Sequence, residues 1–333
     1  MKPQILSLEG VSQIYASRGS KGWRREYVHA VDGVDLDIRE GETLAIVGES
    51  GSGKSTLAKM LLMLNNPTKG NVTYRGTRLK SLGAVERSQY RRQVQAVFQD
   101  PASSLNPRMT VEQTLSHVAN RHNIVAKADL GRFLKEQLAA VGLNPPEQYL
   151  GRYPHQLSGG QQQRIAIARA IMLKPKIIIA DEPLSSLDVS VQAQILQLLS
   201  ELRKTTNVGF VIISHDLGAM QSIADRTAVM YKGRVVEIGR AIYQSPVHPY
   251  TRLLLDARLL PNPRGNRIRS PVPKQVTPTA LSASTGGCRF LQRCPYAIEV
   301  CAAVDPQLQT MDGEATQVAC HRAKELSAAL TPA

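Results

Sequence analysis

The stretch Gly48 to Thr56, Gly-Glu-Ser-Gly-Ser-Gly-Lys-Ser-Thr, constrains this chain more than any other feature. It matches G-x-x-x-x-G-K-[ST], a pattern that works only where a buried strand ends and a helix begins. Both neighbours fit. Thr43 to Val47 reads as a buried strand, and Thr56 to Leu64 as an apolar helix closed by Asn65, Asn66 and Pro67. Gly48, Gly51 and Gly53 let backbone amides curl round phosphate oxygens without Cβ clashes, and the helix start adds the positive end of its dipole. Lys54 is expected on the β and γ phosphates of a nucleotide, and Ser55 on Mg²⁺ through its hydroxyl. Ser50 and Thr56 complete the loop. A strand, a phosphate loop and a helix in this order predict an α/β unit.

The rest of the chain extends that unit. Ile5 to Leu8, and Val34, Leu36 and Ile38 alternating with acidic residues, read as strands of an antiparallel N-terminal part. Ile177 to Ala180 and Phe210 to Ile213 are apolar runs without alternation, as expected of central strands in a mostly parallel sheet. The first of these ends in Asp181 and Glu182. Asp181 is placed to reach the Mg²⁺ shell, and Glu182 to polarise the water that attacks the γ-phosphate. Between Asp100 and Gln156 helical patterns such as Val111 to Val118 and Phe133 to Val141 replace the strands. Leu157 to Arg164 reads Leu-Ser-Gly-Gly-Gln-Gln-Gln-Arg, in which Ser158 is a good N-cap and Gly159 and Gly160 expose the amides of a second anion-binding helix end, followed by Gln161 to Met172.

With these motifs the chain resembles the nucleotide-binding subunits of ABC transporters, from about Leu6 to Gly239. The resemblance implies that the helix opened by Ser158, Gly159, Gly160 and Gln161 completes the ATP site of a second subunit, identical or paralogous, in a head-to-tail dimer. It further implies that Gln99, ending a strand Val94 to Phe98, contacts Mg²⁺ and senses the membrane partner. Asp188, after Ser186 and Leu187, lies in the loop that reaches across the dimer, and His215 is the switch histidine at the γ-phosphate. Tyr15 is similar to the aromatic residue that stacks on adenine, although the polar insert Ser17 to Tyr27 leaves Tyr27 and Trp23 as alternatives.

Three features resemble the oligopeptide, dipeptide and nickel import branch: the segment Asp100 to Val111, the His248-Pro249-Tyr250-Thr251 start of a helix, and a cysteine-containing tail. Ser104 to Met109 is then expected near a groove that grips the permease. All four cysteines lie between Cys288 and Cys320, spaced C-x5-C, C-x6-C and C-x18-C, with no C-x2-C knuckle typical of zinc. Cys288, Cys294, Cys301 and Cys320 resemble the ligands of that branch's [4Fe-4S] tail; zinc, with His321 as a substitute ligand, and free thiols are the alternatives. Disulfides are disfavoured in a reducing cytoplasm. The prolines at 261, 263, 271, 273 and 278 mark a linker ahead of this tail.

The expected organisation is thus a nucleotide-binding core in residues 1–99 and 173–250 with an antiparallel β part, a helical subdomain in 100–172, and a linker with a cysteine extension in 251–333. The implied role is ATP hydrolysis driving import of di- or oligopeptides, with nickel or another small solute as the alternative. The implied partners are two permease subunits and an extracytoplasmic solute-binding protein, with the chain peripheral on the cytoplasmic face of the inner membrane. No run approaches the roughly 18 apolar residues of a membrane span, and Glu9 interrupts any secretory apolar region. The net charge of +14 favours an anionic partner. Aromatic residues are only 5%, without the interleaving of a stacking platform, so nucleic acid is not expected. A DNA-associated ABC ATPase would need a long coiled-coil insertion, a translation factor of the ABC type a second phosphate loop, and an exporter half fused spans or separate permeases.

Overall fold

The computed structural model describes residues 3–18, 25–240, 242–257, 286–311 and 316–328. Among them twelve strands occur in chain order. They are β1 (Gln4–Arg18), β2 (Arg25–Arg39), β3 (Thr43–Val47), β4 (Lys69–Tyr74), β5 (Thr77–Arg78) and β6 (Val94–Val97). The rest are β7 (Ile177–Asp181), β8 (Gly209–Ser214), β9 (Arg226–Tyr231), β10 (Arg234–Gly239), β11 (Gln309–Thr310) and β12 (Gln317–Val318). β2-β1-β4-β5 form an antiparallel sheet of four strands, and β11-β12-β10-β9-β3-β8-β7-β6 a mixed sheet of eight. From β9 to β6 every pairing of the larger sheet is parallel, whereas β9, β10, β12 and β11 pair antiparallel. This is an α/β fold.

The apolar runs explain the layering. Every residue of β3, β8 and β9 is buried, so both faces of the central sheet are covered. Side chains alternate across the strand, and β3 shows the consequence. Ala45 and Val47 pack with the helical residues Leu115, Leu138 and Ile165. Leu44 and Ile46 pack with Leu6, Val34, Leu57 and Leu61 from the antiparallel sheet and the first helix. At roughly 1.5–3 kcal/mol for each fully buried aliphatic side chain, these two cores fix the register of β3 and with it the start of the phosphate loop. Arg226 ties the sheets together, donating to Asp37 at 2.9 Å and to Glu42 at 3.3 Å.

Between β6 and β7 lie helices Pro101–Ser104, Val111–Arg121, Leu130–Ala140, Glu147–Leu150 and Gly159–Ile171. Thr110 and Gln113 close a capping box at the second of them. Arg169 holds the last to the first by donating to the Ser104 carbonyl at 2.6 Å.

The structure departs from the sequence expectations in three places. The helix after the phosphate loop runs Lys54–Leu61 and stops where Met63 turns left-handed, φ +55°. β6 ends at Val97, so Phe98 is exposed and lies beyond the strand. Within the polar insert Ser17 to Tyr27, the β1–β2 hairpin pairs Ser17 with Glu26 and Arg18 with Arg25, while residues 19–24, Trp23 among them, lie outside the described residues. The cysteine segment joins the larger sheet through β12, which pairs antiparallel with β10, Glu237 opposite Val318. The linker prolines 261, 263, 271, 273 and 278 lie outside the described residues. No helix of the described residues is long and apolar enough to cross a membrane.

Candidate active site

The phosphate loop leaves β3 through Gly48 and enters helix Lys54–Leu61 through Gly53, with no side chain capping the helix. A helix that starts without a side-chain cap leaves its first amides free for an anion. Gly53 sits at φ +102°, and a Cβ there would lie 2.1 Å from the Ala30 carbonyl oxygen. A Cβ on Gly48 would lie 2.2 Å from the Met230 carbonyl oxygen. Both glycines are therefore required by contact with neighbouring strands. Ser50 and Gly51 are exposed at the tip, while Ser55 and Thr56 are half-buried in the first helical turn.

Lys54 is buried, and its ammonium folds into the loop, donating to the carbonyls of Gly48 at 2.8 Å and Glu49 at 2.9 Å. Burial lowers its pKa, opposed by the nearby Glu182, Asp181 and Glu49 charges. The hydroxyl of Ser55 donates to Asp181 at the end of β7, 3.0 Å away. Burial raises the Asp181 pKa; the Ser55 hydrogen bond opposes that rise and the neighbouring Glu182 charge adds to it. Ser55 and Asp181 thus present hard oxygens beside the loop, which fits Mg²⁺, an ion that takes one or two protein ligands plus nucleotide phosphates.

Glu182 follows in a left-handed conformation, φ +46°, with its amide donating to the Ile213 carbonyl of β8 at 2.9 Å. Its carboxylate meets two partners. Gln99 Nε2 donates to Oε2 at 3.3 Å, and His215 Nδ1 lies 3.4 Å from the same oxygen. Gln99, Glu182 and His215 come from the carboxyl ends of the neighbouring parallel strands β6, β7 and β8, beside the loop that leaves β3. In open α/β sheets that end is where ligands bind.

The structure also places the remaining sequence candidates. Ser158 and Gln161 form a reciprocal capping box at helix Gly159–Ile171, Ser158 Oγ accepting from the Gln161 amide and Gln161 Oε1 from the Ser158 amide. A Cβ on Gly160 would lie 2.6 Å from Val191 Cγ1, so this helix start is packed under the loop that carries Asp188. Asp188 caps helix Val189–Thr206, accepting from the Val191 amide at 3.0 Å and the Ser190 hydroxyl at 2.7 Å. These residues share one surface with each other, and no hydrogen bond among the described residues joins them to the phosphate loop. Tyr15 is partly exposed on β1 and accepts from Asn65 Nδ2 at 3.0 Å. Tyr27 is more exposed, on β2.

Cys288, Cys294, Cys301 and Cys320 line one narrow cavity with Pro249, Phe290, Leu291, Tyr296 and Pro306. Its open space is only about 20 Å³, room for one water. Burial pushes the Cys294 thiol up to about 12 and the Cys320 thiol up to about 11, with the other cysteines adding to the rise. Among the described residues no three His, Cys, Asp or Glu side chains form a set that could hold a metal ion.

Sequence reasoning missed two residues. Glu237 is a buried carboxylate in β10 that accepts from the amides of Val247 and His248 at 2.8 and 3.1 Å. Its signal was a single charge in the apolar run Val235–Ile238. Arg293 reaches Glu49 of the phosphate loop, a contact with no local signal at all.

A phosphate loop, a carboxylate-ended strand and a helical insertion between β6 and β7 define an ATPase of the ATP-binding-cassette class. The family model described as ABC transporter matches residues 31–185, and that described as oligopeptide/dipeptide transporter, C-terminal region, matches 236–301. The chain is 46% identical over 308 residues to the putative oligopeptide transport ATP-binding protein YkfD of Bacillus subtilis, covering 90% of this chain and 91% of that protein. It is 42% identical to the di/tripeptide transport ATP-binding protein DppF of Pseudomonas aeruginosa, covering 90% and 91%. Among solved structures, the dimeric post-hydrolysis state of the cassette MJ0796 with ADP and Pi is 31% identical, with a TM-score of 0.61, over 71% of this chain and 98% of that one. The chain belongs to the family of oligopeptide/dipeptide ABC transporter ATP-binding proteins.

Proposed function

We propose that the chain binds and hydrolyses ATP at the loop Gly48–Thr56 to power peptide import through partner permease subunits. One observation carries the reading: Lys54, Ser55, Asp181, Glu182, Gln99 and His215 gather at the carboxyl ends of adjacent strands. Free loop amides and Lys54 hold the triphosphate. Glu182 takes the proton of a water as its oxygen bonds to the γ-phosphorus and the bond to the ADP oxygen breaks. Gln99 and His215 hold the Glu182 carboxylate in place and lie where they can touch the water and the γ-phosphate. Ser55 and Asp181, with Gln99 nearby, would hold Mg²⁺, which would supply positive charge to the phosphates. Replacing Glu182 by glutamine tests this, since the amide orients water but cannot take its proton. ATP binding should persist and turnover fall roughly 10²- to 10⁴-fold; near-native turnover would reject Glu182 as the base.

The helix start at Ser158–Gln161 and the Asp188 loop act on the nucleotide of a second subunit, identical or paralogous. Their shared surface and the dimeric cassette among similar structures support this. An extracytoplasmic solute-binding protein delivers the peptide, and the chain sits peripherally on the cytoplasmic face of the inner membrane. Tyr15, on the exposed face of β1, stacks on adenine. The core, the helical insertion and the cysteine extension are the units set out from the sequence.

Cys288, Cys294, Cys301 and Cys320 hold a [4Fe-4S] cluster that fixes the extension. The four thiols line one cavity, as the ligands of a single group would, and this supports the reading. The cavity must widen to admit it. Thiols whose pKa is raised by burial become ligands only when a metal displaces their protons. Anaerobically purified protein should carry about four irons and four sulfides per chain. One zinc without iron, or no metal, would reject the cluster.

A further inference from the structure

Glu49 places a carboxylate inside a loop whose work is to hold a polyanion, and left bare it would repel the triphosphate. Arg293, far along the chain in the cysteine extension, covers it. Its Nη1 and Nη2 donate to the two carboxylate oxygens at 2.8 Å each. The guanidinium is held by aromatic rings, its central carbon 5.7 Å from the centroids of Tyr231 and Phe290 and 6.0 Å from that of Tyr250. Those rings pack on one another, Tyr231 against Tyr250 at 4.6 Å and Phe290 against Tyr231 at 5.3 Å. A planar cation seated on rings is already aimed for a bidentate contact. The Glu49 backbone is held as well, its amide donating to Tyr250 Oη at 2.9 Å and its carbonyl accepting from Lys54 at 2.9 Å. The Arg293 fork, with Lys232 and Lys54 nearby, keeps the Glu49 carboxyl below the ordinary range and therefore ionised.

We propose that Arg293 is a positioning residue of the ATP site, neutralising and fixing Glu49 so that the phosphate loop accepts the triphosphate. The cysteine extension thereby completes a site 244 positions earlier in the chain. The inference rests on the reading of Gly48–Thr56 as the ATP site, so Lys54→Ala serves as the control for that reading.

The test is an equilibrium titration of the full chain with MgATP, comparing the native protein with Arg293→Ala, Arg293→Lys, Glu49→Gln and the double variant Arg293→Ala/Glu49→Gln. Because the pair is part-exposed, Arg293→Ala should raise the Kd by roughly three- to fivefold, and Arg293→Lys by less. The double variant should return to within about twofold of native, because no charge remains to be covered. A contact that only braced the loop would be lost equally in the double variant. An unchanged Kd in Arg293→Ala, or a rise that Glu49→Gln leaves in place, overturns the proposal. Undiminished ATP binding in Lys54→Ala overturns the underlying site assignment.

Discussion

Replacing Gly53 by alanine tests whether the conformation of the phosphate loop, and not its composition alone, makes the site. At φ +102° an L side chain is strained by about 1–3 kcal/mol. The new Cβ also meets the Ala30 carbonyl oxygen at 2.1 Å, so the two must part by about 1.3 Å or more to reach the 3.4–4 Å of ordinary contact. β2 yields poorly, since it is paired with β1 and anchored in the core by Val31 and Val34. The loop must therefore move, and the amides of Lys54 and Ser55 move with it. Losing one or two charge-assisted hydrogen bonds, each worth about 1.5–3 kcal/mol, weakens ATP binding roughly 10- to 10⁴-fold. Gly51 is the internal control: its φ is +78°, but nothing lies within 4 Å of a Cβ there. Gly51→Ala bears only the backbone strain. Titration with MgATP and steady-state hydrolysis should find Gly53→Ala about tenfold or more below Gly51→Ala in affinity. Equal affinities for the two variants would refute the reasoning.

Two further outcomes follow from the geometry. If Ser158 acts across a dimer, mixing a Lys54→Ala subunit with a Ser158→Arg subunit should regain turnover that neither has alone, because one intact composite site forms; ATPase activity no higher than the sum of the separate samples would exclude action in trans. Burial raises the Glu237 carboxyl from 4.5 to about 7, so the folded state holds a proton that the unfolded chain releases above pH 4.5. That contribution is fully present below pH 4.5 and lost as pH rises through about 7. Urea titrations at pH 5 and 8 should show the native chain losing up to about 3 kcal/mol relative to Glu237→Gln, and parallel pH dependence of the two would contradict it.

The parts of the site that were legible in the sequence are those whose physics is local. Gly48, Gly51 and Gly53 announce a loop because a left-handed or crowded backbone must be glycine wherever the rest of the chain goes. Ile177 to Ala180 and Phe210 to Ile213 announce central strands because a sheet covered on both faces needs no polar alternation. The β1–β2 pairing that reaches Arg18 and Arg25 is not legible in this way. Ser17, Arg18, Arg25 and Glu26 are all polar and show no apolar alternation, and pairing of Arg18 with Arg25 leaves no mark in either residue. The helix boundary at Leu61 is not legible because Leu62, Met63 and Leu64 continue the apolar pattern past the point where the backbone turns.

The contacts that escaped sequence reasoning join residues whose neighbours in the chain say nothing about each other, and they converge on one place. His248 caps helix Pro249–Asp256 with Nδ1 accepting from the Tyr250 amide, and its ring lies 5.7 Å from Phe290. Glu237 holds the chain just before that helix, and Tyr250 reaches back to the Glu49 amide. Phe290 stands between this group and the cysteine cavity, which both His248 and Phe290 line. Arg289 donates to the Lys232 carbonyl and to Asp32, binding the same segment to the β9–β10 turn and to β2. Phe290 is therefore shared between that group and the cysteine cavity: it lines the cavity and packs on the Tyr231 and Tyr250 rings that seat Arg293, the partner of Glu49. The lone charge in β10 and the aromatic residues spread over β9, helix Pro249–Asp256 and the tail are consequently parts of one support for the phosphate loop, visible only once the strands are paired.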